Sequence, residues 1–254
     1  MKAFDLSGRV AIVTGGNGGI GLGMARGIAR AGGQVAVVGR NTAKTTAAVA
    51  ELEALGVKCL AIEADVIKDE ECRSLVEQAA AHFGRVDILV NNAGTALRKP
   101  PHEYTMQEWR RIIDTNLSSA FACSQAAYPH MKAAGGGKII SIGSIMSVMG
   151  ASFAVAYAAS KGGIVQMTRA LATAWAVDNI QVNALLPGWI DTDLTKGARR
   201  EVAGLNERVL GRTPVGRWGT PADFEAITVL LCGNGSQYIT GAAIPVDGGY
   251  TIQA

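Results

Sequence analysis

The chain has 254 residues, a formal net charge of +3 and 48% hydrophobic residues. An apolar fraction of this size can fill a sizeable core, which argues against an intrinsically disordered chain. No run of about 18 uncharged apolar residues occurs, and Asp5 and Arg9 stand where a signal peptide would be apolar, so the composition predicts a cytoplasmic protein without a membrane span.

Seven short runs rich in Val and Ile predict strands at residues 10–13, 35–38, 59–62, 88–90, 138–142, 180–186 and 242–246. Segments with helical spacing separate them, at residues 20–31, 42–55, 69–83, 105–134, 155–177 and 221–232. Strands that alternate with helices and are apolar almost throughout indicate a parallel sheet covered on both faces. With right-handed crossovers, the simplest fold class is α/β, a single doubly wound domain over residues 1–254.

One long segment, residues 191–219, contains no predicted strand and separates the sixth strand from the seventh. It is polar and carries the arginines Arg199, Arg200, Arg208, Arg212 and Arg217. Ligands of open α/β sheets bind beyond the carboxyl ends of the strands, so a long insertion there predicts a substrate lid within the domain. A solvated surface excursion is the alternative interpretation.

Other ligand classes receive little support from the residue pattern. The four cysteines and three histidines form neither a C-x-x-C pair nor a cluster, which argues against a disulfide framework and against a metal site. Basic residues are spread along the chain, with short clusters such as Arg98-Lys99 and Arg199-Arg200, so nucleic acid is not an expected partner. We therefore expect a small-molecule substrate.

A glycine-rich turn, Thr14 to Gly21, follows the first predicted strand and leads into a helix. Glycines allow a sharp turn and a close approach of the backbone to a pyrophosphate, whose charge is stabilised by the free N–H groups of a helix N-terminus. The turn fits two dinucleotide spacings, Gly16-x-Gly18-x-x-Gly21 and Thr14-Gly15-x-x-x-Gly19-x-Gly21. Because strand, turn and helix occur in this order, the turn predicts a dinucleotide site.

The second spacing resembles that of the short-chain dehydrogenase/reductase family. Further matches follow in family order at Asp65-Val66, Asn91-Asn92-Ala93-Gly94, Asn116, Ser144, Tyr157-x-x-x-Lys161 and Pro187-Gly188. The resemblance covers the whole chain. It implies a seven-stranded Rossmann sheet, an NAD(P)-dependent oxidoreductase that acts on CH–OH groups, and a homotetramer built partly from the helices at residues 105–134 and 155–177.

The choice between NAD and NADP depends on the residue after the second strand. NAD-binding folds usually place an acid about 20 residues beyond the glycines, but residues 34–50 contain no Asp or Glu, and Arg40 follows the strand instead. A guanidinium can pair with a 2′-phosphate, so Arg40 favours NADP(H). NAD stays an alternative, because Asn17 and Gly18 stand where many NADP-dependent relatives carry a second basic residue. Arg40 could also be simply the solvated start of the next helix.

The motifs and the resemblance together assign a set of cofactor-binding residues. They imply that Asp65 and Val66 contact adenine, that Asn92 supports the cofactor, and that Ile190 and Thr192 meet the nicotinamide amide. The complete set is Gly15, Asn17, Gly18, Gly19, Ile20, Gly21, Arg40, Asn41, Asp65, Val66, Asn92, Ala93, Gly94, Tyr157, Lys161, Pro187, Gly188, Ile190 and Thr192.

Hydride transfer to a carbonyl needs a proton donor at the carbonyl oxygen, and Tyr157 is the candidate. Lys161 lies four residues later on the same predicted helix face, so its ammonium is expected to lower the pKa of Tyr157. Ser144, at a strand end, is placed to orient the substrate oxygen. The resemblance implies that Asn116 holds a water that relays protons from Lys161, and that Lys161 also binds the nicotinamide ribose.

The substrate is specified least by shared motifs. The pair Arg98-Lys99 and the segments at residues 142–147 and 216–221 resemble those of gluconate 5-dehydrogenases and 2-deoxygluconate 3-dehydrogenases. A substrate carboxylate would have a physical reason to use such a basic pair, which favours a sugar acid or polyol. An ordinary solvated loop is the alternative for this pair. The residues expected to contact substrate are Arg98, Ser144, Met146, Tyr157 and Trp189.

Two other functions fit parts of the sequence. A 3-oxoacyl-[acyl-carrier-protein] reductase, or another short-chain ketone reductase, shares the same motifs, and the arginines of residues 191–219 could form its basic docking patch. A nucleotide-binding sensor that has lost catalysis is the alternative from a different class. It is disfavoured because Asn116, Ser144, Tyr157 and Lys161 are all present.

Overall fold

The computed structural model describes residues 2–253 and contains one sheet of seven parallel strands. The strands are β1 Val10–Thr14, β2 Gln34–Gly39, β3 Cys59–Glu63, β4 Ile88–Asn91, β5 Gly137–Ile142, β6 Ile180–Pro187 and β7 Ala243–Val246. Their order across the sheet is β3-β2-β1-β4-β5-β6-β7. The predicted fold class, a doubly wound α/β sheet, is therefore confirmed.

Helices connect the strands and cover both faces of the sheet. They are α1 Gly19–Arg30, α2 Thr42–Glu53, α3 Asp69–Phe83, α4 Met106–Ile113, α5 Ser119–Ala133, α6 Val155–Trp175, α7 Asp193–Glu201, α8 Leu205–Arg212 and α9 Glu225–Cys232. Residues of α1, α2 and α9 share one hydrophobic core, and residues of α3, α5 and α6 share a second core on the opposite face. No helix within residues 2–253 is long and apolar enough to cross a membrane.

The strands are apolar on both sides because both sides are buried. In β1, Ala11 and Val13 belong to the first core, whereas Ile12 between them belongs to the second. All three side chains are fully buried. The edge strands β3 and β7 are less buried, so the central strands form the rigid part of the sheet.

A crevice forms where the strand order reverses. From β1 the chain winds outward to β2 and β3, then returns to β4, which pairs with the other side of β1. The connections after β1 and β4 therefore leave the sheet on opposite faces, and the carboxyl ends of these strands border an open space. The glycine-rich turn after β1 lies at this place.

Two regions differ from the sequence prediction. The helix expected at residues 105–134 is divided by a π-helical turn, Asp114–Ser118, which lies between α4 and α5. Segment 191–219, which lacks strands as expected, contains the helices α7 and α8. A small cluster of Ala198, Leu205 and Val209 holds these two helices together.

Candidate active site at the carboxyl edge of the sheet

A cavity of about 410 Å³ runs along the carboxyl ends of the central strands. The predicted residues that line it are Gly15, Asn17, Gly18, Gly19, Ile20, Arg40, Asp65, Val66, Asn92, Ala93, Gly94, Ser144, Tyr157, Lys161, Pro187, Gly188, Ile190 and Thr192. The predicted site residues outside this lining are Gly21, Asn41, Arg98, Asn116, Met146 and Trp189. Most of the proposed cofactor residues thus share one space with three of the four proposed catalytic residues.

Hydrogen bonds between β1 and β4 hold the glycine-rich turn in place. The Thr14 hydroxyl accepts the backbone N–H groups of Asn92 at 3.0 Å and Ala93 at 3.1 Å. The Asn92 amide donates to the carbonyl oxygens of Thr14 at 2.9 Å and Gly15 at 3.0 Å. A Cβ at Gly21 would lie 2.4 Å from the Asn92 Nδ2 atom, so Gly21 allows α1 to approach Asn92 closely.

The start of α1 is suited to an anionic ligand. Gly18 is its N-cap residue, no side chain caps the first turn, and no acidic residue occurs there. Gly15 and Gly19 adopt positive φ angles of 61° and 52°, which only glycine accepts readily. A Cβ on Gly18 would meet no atom within 4 Å, so this face of the turn is open to a ligand. These features fit the pyrophosphate of a dinucleotide.

Beside the glycine-rich turn, Arg40 and Lys44 follow β2, and both line the cavity. Gly39, before Arg40, has a packing role that the sequence did not reveal. A Cβ at Gly39 would lie 2.1 Å from Asn17 Nδ2, which itself donates to the Thr45 hydroxyl at 2.9 Å. An acidic side chain at position 39 would therefore collide with Asn17.

The side chains of Ser144, Tyr157 and Lys161 line the same cavity from two elements. Ser144 follows β5, and its hydroxyl oxygen accepts the Met146 N–H at 3.1 Å, which fixes its position. Tyr157 and Lys161 lie in the first two turns of α6. Lys161 is 3% exposed, its Nζ lies 5.6 Å from the Tyr157 ring centroid, and it donates to the Ile142 carbonyl at 2.7 Å.

Burial is the main influence on the pKa values of Tyr157 and Lys161. It raises the pKa of Tyr157, whereas the Ser144 side chain and the charge of Arg98 lower this pKa to a smaller extent. It also lowers the pKa of Lys161 to about 8. The expected net direction, a lowered pKa of Tyr157, is therefore wrong for this chain, because desolvation of the phenolate outweighs the groups that stabilise it.

Asn116 lies in the π-helical turn, just outside the cavity lining, and is 2% exposed. Its Nδ2 donates to the Thr95 carbonyl at 2.9 Å and to the Ser160 hydroxyl at 3.0 Å, while its Oδ1 accepts the Thr95 N–H at 2.8 Å. A Cβ at Gly94 would lie 3.4 Å from Asn116 Oδ1 and 3.6 Å from Lys161 Nζ. Asn116 Oδ1 and Lys161 Nζ therefore both lie beside Gly94.

Three of the residues expected to contact substrate lie outside the cavity lining. Arg98 forms an ion pair with Glu201 at 3.0 Å, and Met146 is half-buried beside Ser144. Trp189 packs in an aromatic cluster with Trp218 and Tyr250. Within residues 2–253, no three His, Cys, Asp or Glu side chains form a group that could hold a metal ion.

The cavity also contains residues that the sequence reasoning missed. They include Lys44 from α2, Thr95 after β4, Arg111 and Thr115 near the π-helical turn, and Leu194 and Thr195 from α7. Lys44 carried a usable signal, because it is the next basic residue after Arg40. Thr95 and Thr115 adjoin the predicted residues Gly94 and Asn116 in the sequence, whereas Arg111, Leu194 and Thr195 reach the cavity through the packing of α4 and α7.

Known proteins resemble this chain over its whole length. A family model described as "Enoyl-(Acyl carrier protein) reductase" matches residues 15–251. The chain is 41% identical over 251 residues to the 2-dehydro-3-deoxy-D-gluconate 5-dehydrogenase of Escherichia coli K12, covering 98% of each chain.

Two solved structures differ in the cofactor that they contain. A provisionally assigned 2-deoxy-D-gluconate 3-dehydrogenase from Agrobacterium tumefaciens, with bound NADP, is 33% identical with a TM-score of 0.91 over 100% of both chains. A 7α-hydroxysteroid dehydrogenase in complex with NADH and 7-oxo glycochenodeoxycholic acid is 33% identical with a TM-score of 0.94, covering 98% of this chain and 96% of the other.

Proposed function

Since the chain belongs to the short-chain dehydrogenase/reductase family, and is therefore an NAD(P)-dependent oxidoreductase that acts on CH–OH groups, we propose that it interconverts a secondary alcohol and a ketone on a sugar acid or polyol. One observation carries the proposal. Ser144, Tyr157 and Lys161 line the same cavity as the uncapped N-terminus of α1, so a proton donor and a dinucleotide site share one space.

We propose NADP(H) as the preferred cofactor. Arg40 is exposed, lines the cavity next to Lys44, and has no ion pair within residues 2–253, so its guanidinium is free to pair with a 2′-phosphate. Lys44 supplies the second basic group that the glycine-rich turn lacks. The remaining cofactor residues are proposed to keep the roles that the resemblance implies, with Lys161 close to the nicotinamide ribose.

In the proposed mechanism, Tyr157 donates a proton to the substrate oxygen during reduction and accepts it during oxidation. Burial raises its pKa and so keeps the hydroxyl protonated at neutral pH. Ser144 accepts a backbone N–H, which leaves its own O–H free to donate to the same substrate oxygen. When bound, the nicotinamide supplies the hydride for reduction and receives it in oxidation.

Lys161 stabilises the tyrosinate that remains after proton donation, since its ammonium lies close to the Tyr157 ring. Both N–H groups of the Asn116 amide already have partners, so Asn116 positions Thr95 and α6. We propose that a water relaying protons from Lys161 lies beside Gly94, because Asn116 Oδ1 and Lys161 Nζ both lie close to this residue.

The reaction is tested with Tyr157→Phe, which removes the proposed proton donor and keeps the ring. Turnover should fall by about 10²–10⁴-fold, the usual contribution of a positioned acid, while the dissociation constant of NADPH stays unchanged. Tyr238→Phe is the matched control, because that ring is fully exposed. Near-normal turnover of Tyr157→Phe with any substrate would show that another group transfers the proton.

The substrate class is supported by the 2-dehydro-3-deoxy-D-gluconate dehydrogenase relative and by the basic charge of Arg98 near Tyr157. A panel of aldonic acids, polyols and 3-oxoacyl thioesters, assayed through NADPH and NADH absorbance, tests it. We expect the highest kcat/KM for an aldonic acid or polyol with NADP(H). A preference for 3-oxoacyl thioesters would replace this proposal with the acyl-carrier-protein reductase.

The acyl-carrier-protein reductase is the second candidate, favoured by the description of the matching family model. Its basic docking patch is weakened in the structure. Arg199 pairs with Asp191, Arg217 pairs with Asp223, and Arg212 donates to the carbonyl oxygens of Tyr250 and Gln253. These contacts within the chain leave fewer free arginines for an acidic carrier protein.

We also propose that the protein is a homotetramer that uses the outer faces of α5 and α6. A second cavity of about 480 Å³ lies on this side of the molecule and is bordered by Leu117, Phe121 and Met167. Phe121 is 45% exposed. The lining combines these apolar side chains with polar ones such as Arg73 and Gln125, and subunit interfaces commonly combine both kinds.

A further inference from the structure

An ion pair connects the loop after β4 with the end of α7. Arg98 Nη1 lies 3.0 Å from Glu201 Oε2, and Glu201 is the last residue of α7. The Arg98 side chain is 18% exposed, whereas that of Glu201 is 60% exposed. The contact therefore joins a largely sheltered cation to a carboxylate that solvent reaches easily.

Arg98 is close enough to the reacting groups to affect them. Its charge lowers the pKa of Tyr157, and Thr95, three residues earlier in the same loop, lines the cavity. Only one N–H group of the guanidinium donates to Glu201, and its other N–H groups have no hydrogen-bond partner within residues 2–253. These N–H groups can bind a second carboxylate.

Glu201 does little for the stability of α7 itself. A negative charge in the last turn of a helix is repelled by the partial negative charge of the free carbonyl groups there. The nine-residue helix has a single buried residue, Ala198, and a glycine at position 197 that weakens it further. The carboxylate of Glu201 is thus stabilised by Arg98 rather than by its own helix.

We propose that Glu201 is a specificity-determining residue that competes with the carboxylate of a sugar acid for Arg98. This inference rests on the proposed function. An anionic substrate bound by Arg98 would share the guanidinium with Glu201, and the two carboxylates would repel each other, whereas a neutral substrate would meet no such repulsion. Glu201 therefore weakens the binding of acids selectively. The first turn of the same helix contributes Leu194 and Thr195 to the cavity, so Glu201 and the site belong to one element.

The test compares D-gluconate with its neutral amide, D-gluconamide. Dissociation constants are measured by calorimetry with NADPH present, so that no hydride transfer consumes the ligands. Glu201→Gln keeps the shape of the side chain and removes its charge. It should tighten gluconate binding about two- to fivefold, the range expected for removing a charge from a partly exposed ion pair, and leave gluconamide binding unchanged.

Glu207→Gln is the matched control. Glu207 lies on α8, is exposed, and has no ion pair within residues 2–253, so the control removes the same charge from the same segment. Its ratio of gluconate to gluconamide affinity should equal that of the unmodified protein. Steady-state kinetics of Glu201→Gln should show a lower KM for gluconate and an unchanged kcat. A general loss of packing would not lower KM alone.

The outcomes separate the two proposals. If both proteins bind gluconate and the ratio of gluconate to gluconamide affinity is the same in Glu201→Gln as in the unmodified protein, the role of Glu201 is overturned. The proposed function then remains intact. An equal gain of affinity in Glu207→Gln also overturns it, because any negative charge would then have the same effect. If neither protein binds gluconate, the sugar-acid proposal fails and the competition with Glu201 fails with it.

Discussion

Two buried side chains of α6 have pKa values that burial shifts in opposite directions. The pKa of Tyr157 is raised and the pKa of Lys161 is lowered to about 8, because desolvation disfavours the charged form of each group. At neutral pH the tyrosine is thus protonated and the lysine is largely charged. This combination suits reduction, in which the tyrosine gives its proton away and the ammonium compensates the charge that remains.

The pH dependence of kcat/KM should therefore differ between ketone reduction and alcohol oxidation. The kcat/KM of reduction should be constant below about pH 8 and fall above it, because Lys161 loses its charge there. The kcat/KM of oxidation should rise with pH between about 6 and 8, since the raised pKa of Tyr157 makes the tyrosinate scarce at the lower end. Both profiles are measured with one substrate pair in a buffer of constant ionic strength.

The pH profile of oxidation also tests the effect of the Arg98 charge on the pKa of Tyr157. Removing a cation that lowers the pKa of Tyr157 raises that pKa further, so Arg98→Gln should move the oxidation profile to higher pH. Arg98→Lys retains the charge and should leave the profile in place. Identical oxidation profiles for the Gln and Lys variants would contradict this electrostatic role.

Arg40 is the residue that should decide between NADP and NAD. Arg40→Asp places a carboxylate near the 2′-phosphate and near the ribose hydroxyls, so it should lower kcat/KM for NADP by about 10²-fold and favour NAD. Lys58→Asp is a matched control, a basic residue outside the cavity lining that lies before β3. An unchanged preference in Arg40→Asp would mean that other residues select the cofactor.

At the scale of the elements, the sequence predicted what local patterns control. The segment 69–83 was expected as a helix and is α3, and β2 exceeds its predicted range by one residue at each end. Apolar periodicity indicates burial against the sheet, and α3 buries one face in this way while β2 is buried almost throughout. The substrate residues were predicted less well, since the positions of Met146 and Trp189 relative to the cavity depend on packing between distant segments.

The π-helical turn at Asn116 shows why other features could not be predicted. It is associated with hydrogen bonds from Asn116 to Thr95 and Ser160, partners that are 21 and 44 residues away in the sequence. Likewise, α7 and α8 have few apolar residues and pack through a cluster of three buried side chains. Such contacts leave no periodic signal in the chain itself.

The helix α7 should be the least stable part of the cavity wall, because it has one buried residue and an internal glycine. Gly197→Ala should stabilise it by about 1 kcal/mol, since a Cβ there would meet only the Glu201 side chain at an ordinary 3.6 Å. Tryptic cleavage after Lys196, Arg199 and Arg200 should then slow about fivefold, as measured by mass spectrometry of the released peptides.

Gly150→Ala is the control for this measurement, because Gly150 lies in a loop with open space around it and outside α7. Its cleavage pattern at α7 should match that of the unmodified protein. Equal cleavage rates in Gly197→Ala and Gly150→Ala would show that cleavage does not require local unfolding of α7.

At the scale of the whole molecule, the active site and the proposed subunit interface use the same helices. Tyr157 and Lys161 lie at the start of α6, Asn116 lies in the turn before α5, and the outer cavity is bordered by both helices. Assembly through this face would therefore hold the helices that carry the proton donor against a second subunit. It would also cover the exposed ring of Phe121.

Phe121→Arg tests this assembly, because a charge placed in a desolvated apolar contact without a partner is strongly unfavourable. Light scattering should give four times the 26.3 kDa protomer mass for the unmodified protein and a smaller multiple for the variant. Tyr238→Arg is the matched control, an equally large change on a fully exposed ring outside the outer cavity, and it should retain the tetramer mass. If Phe121→Arg is still a tetramer, the subunit contacts lie on another face of the molecule. The position of α6 would then depend only on its packing against the sheet of its own subunit.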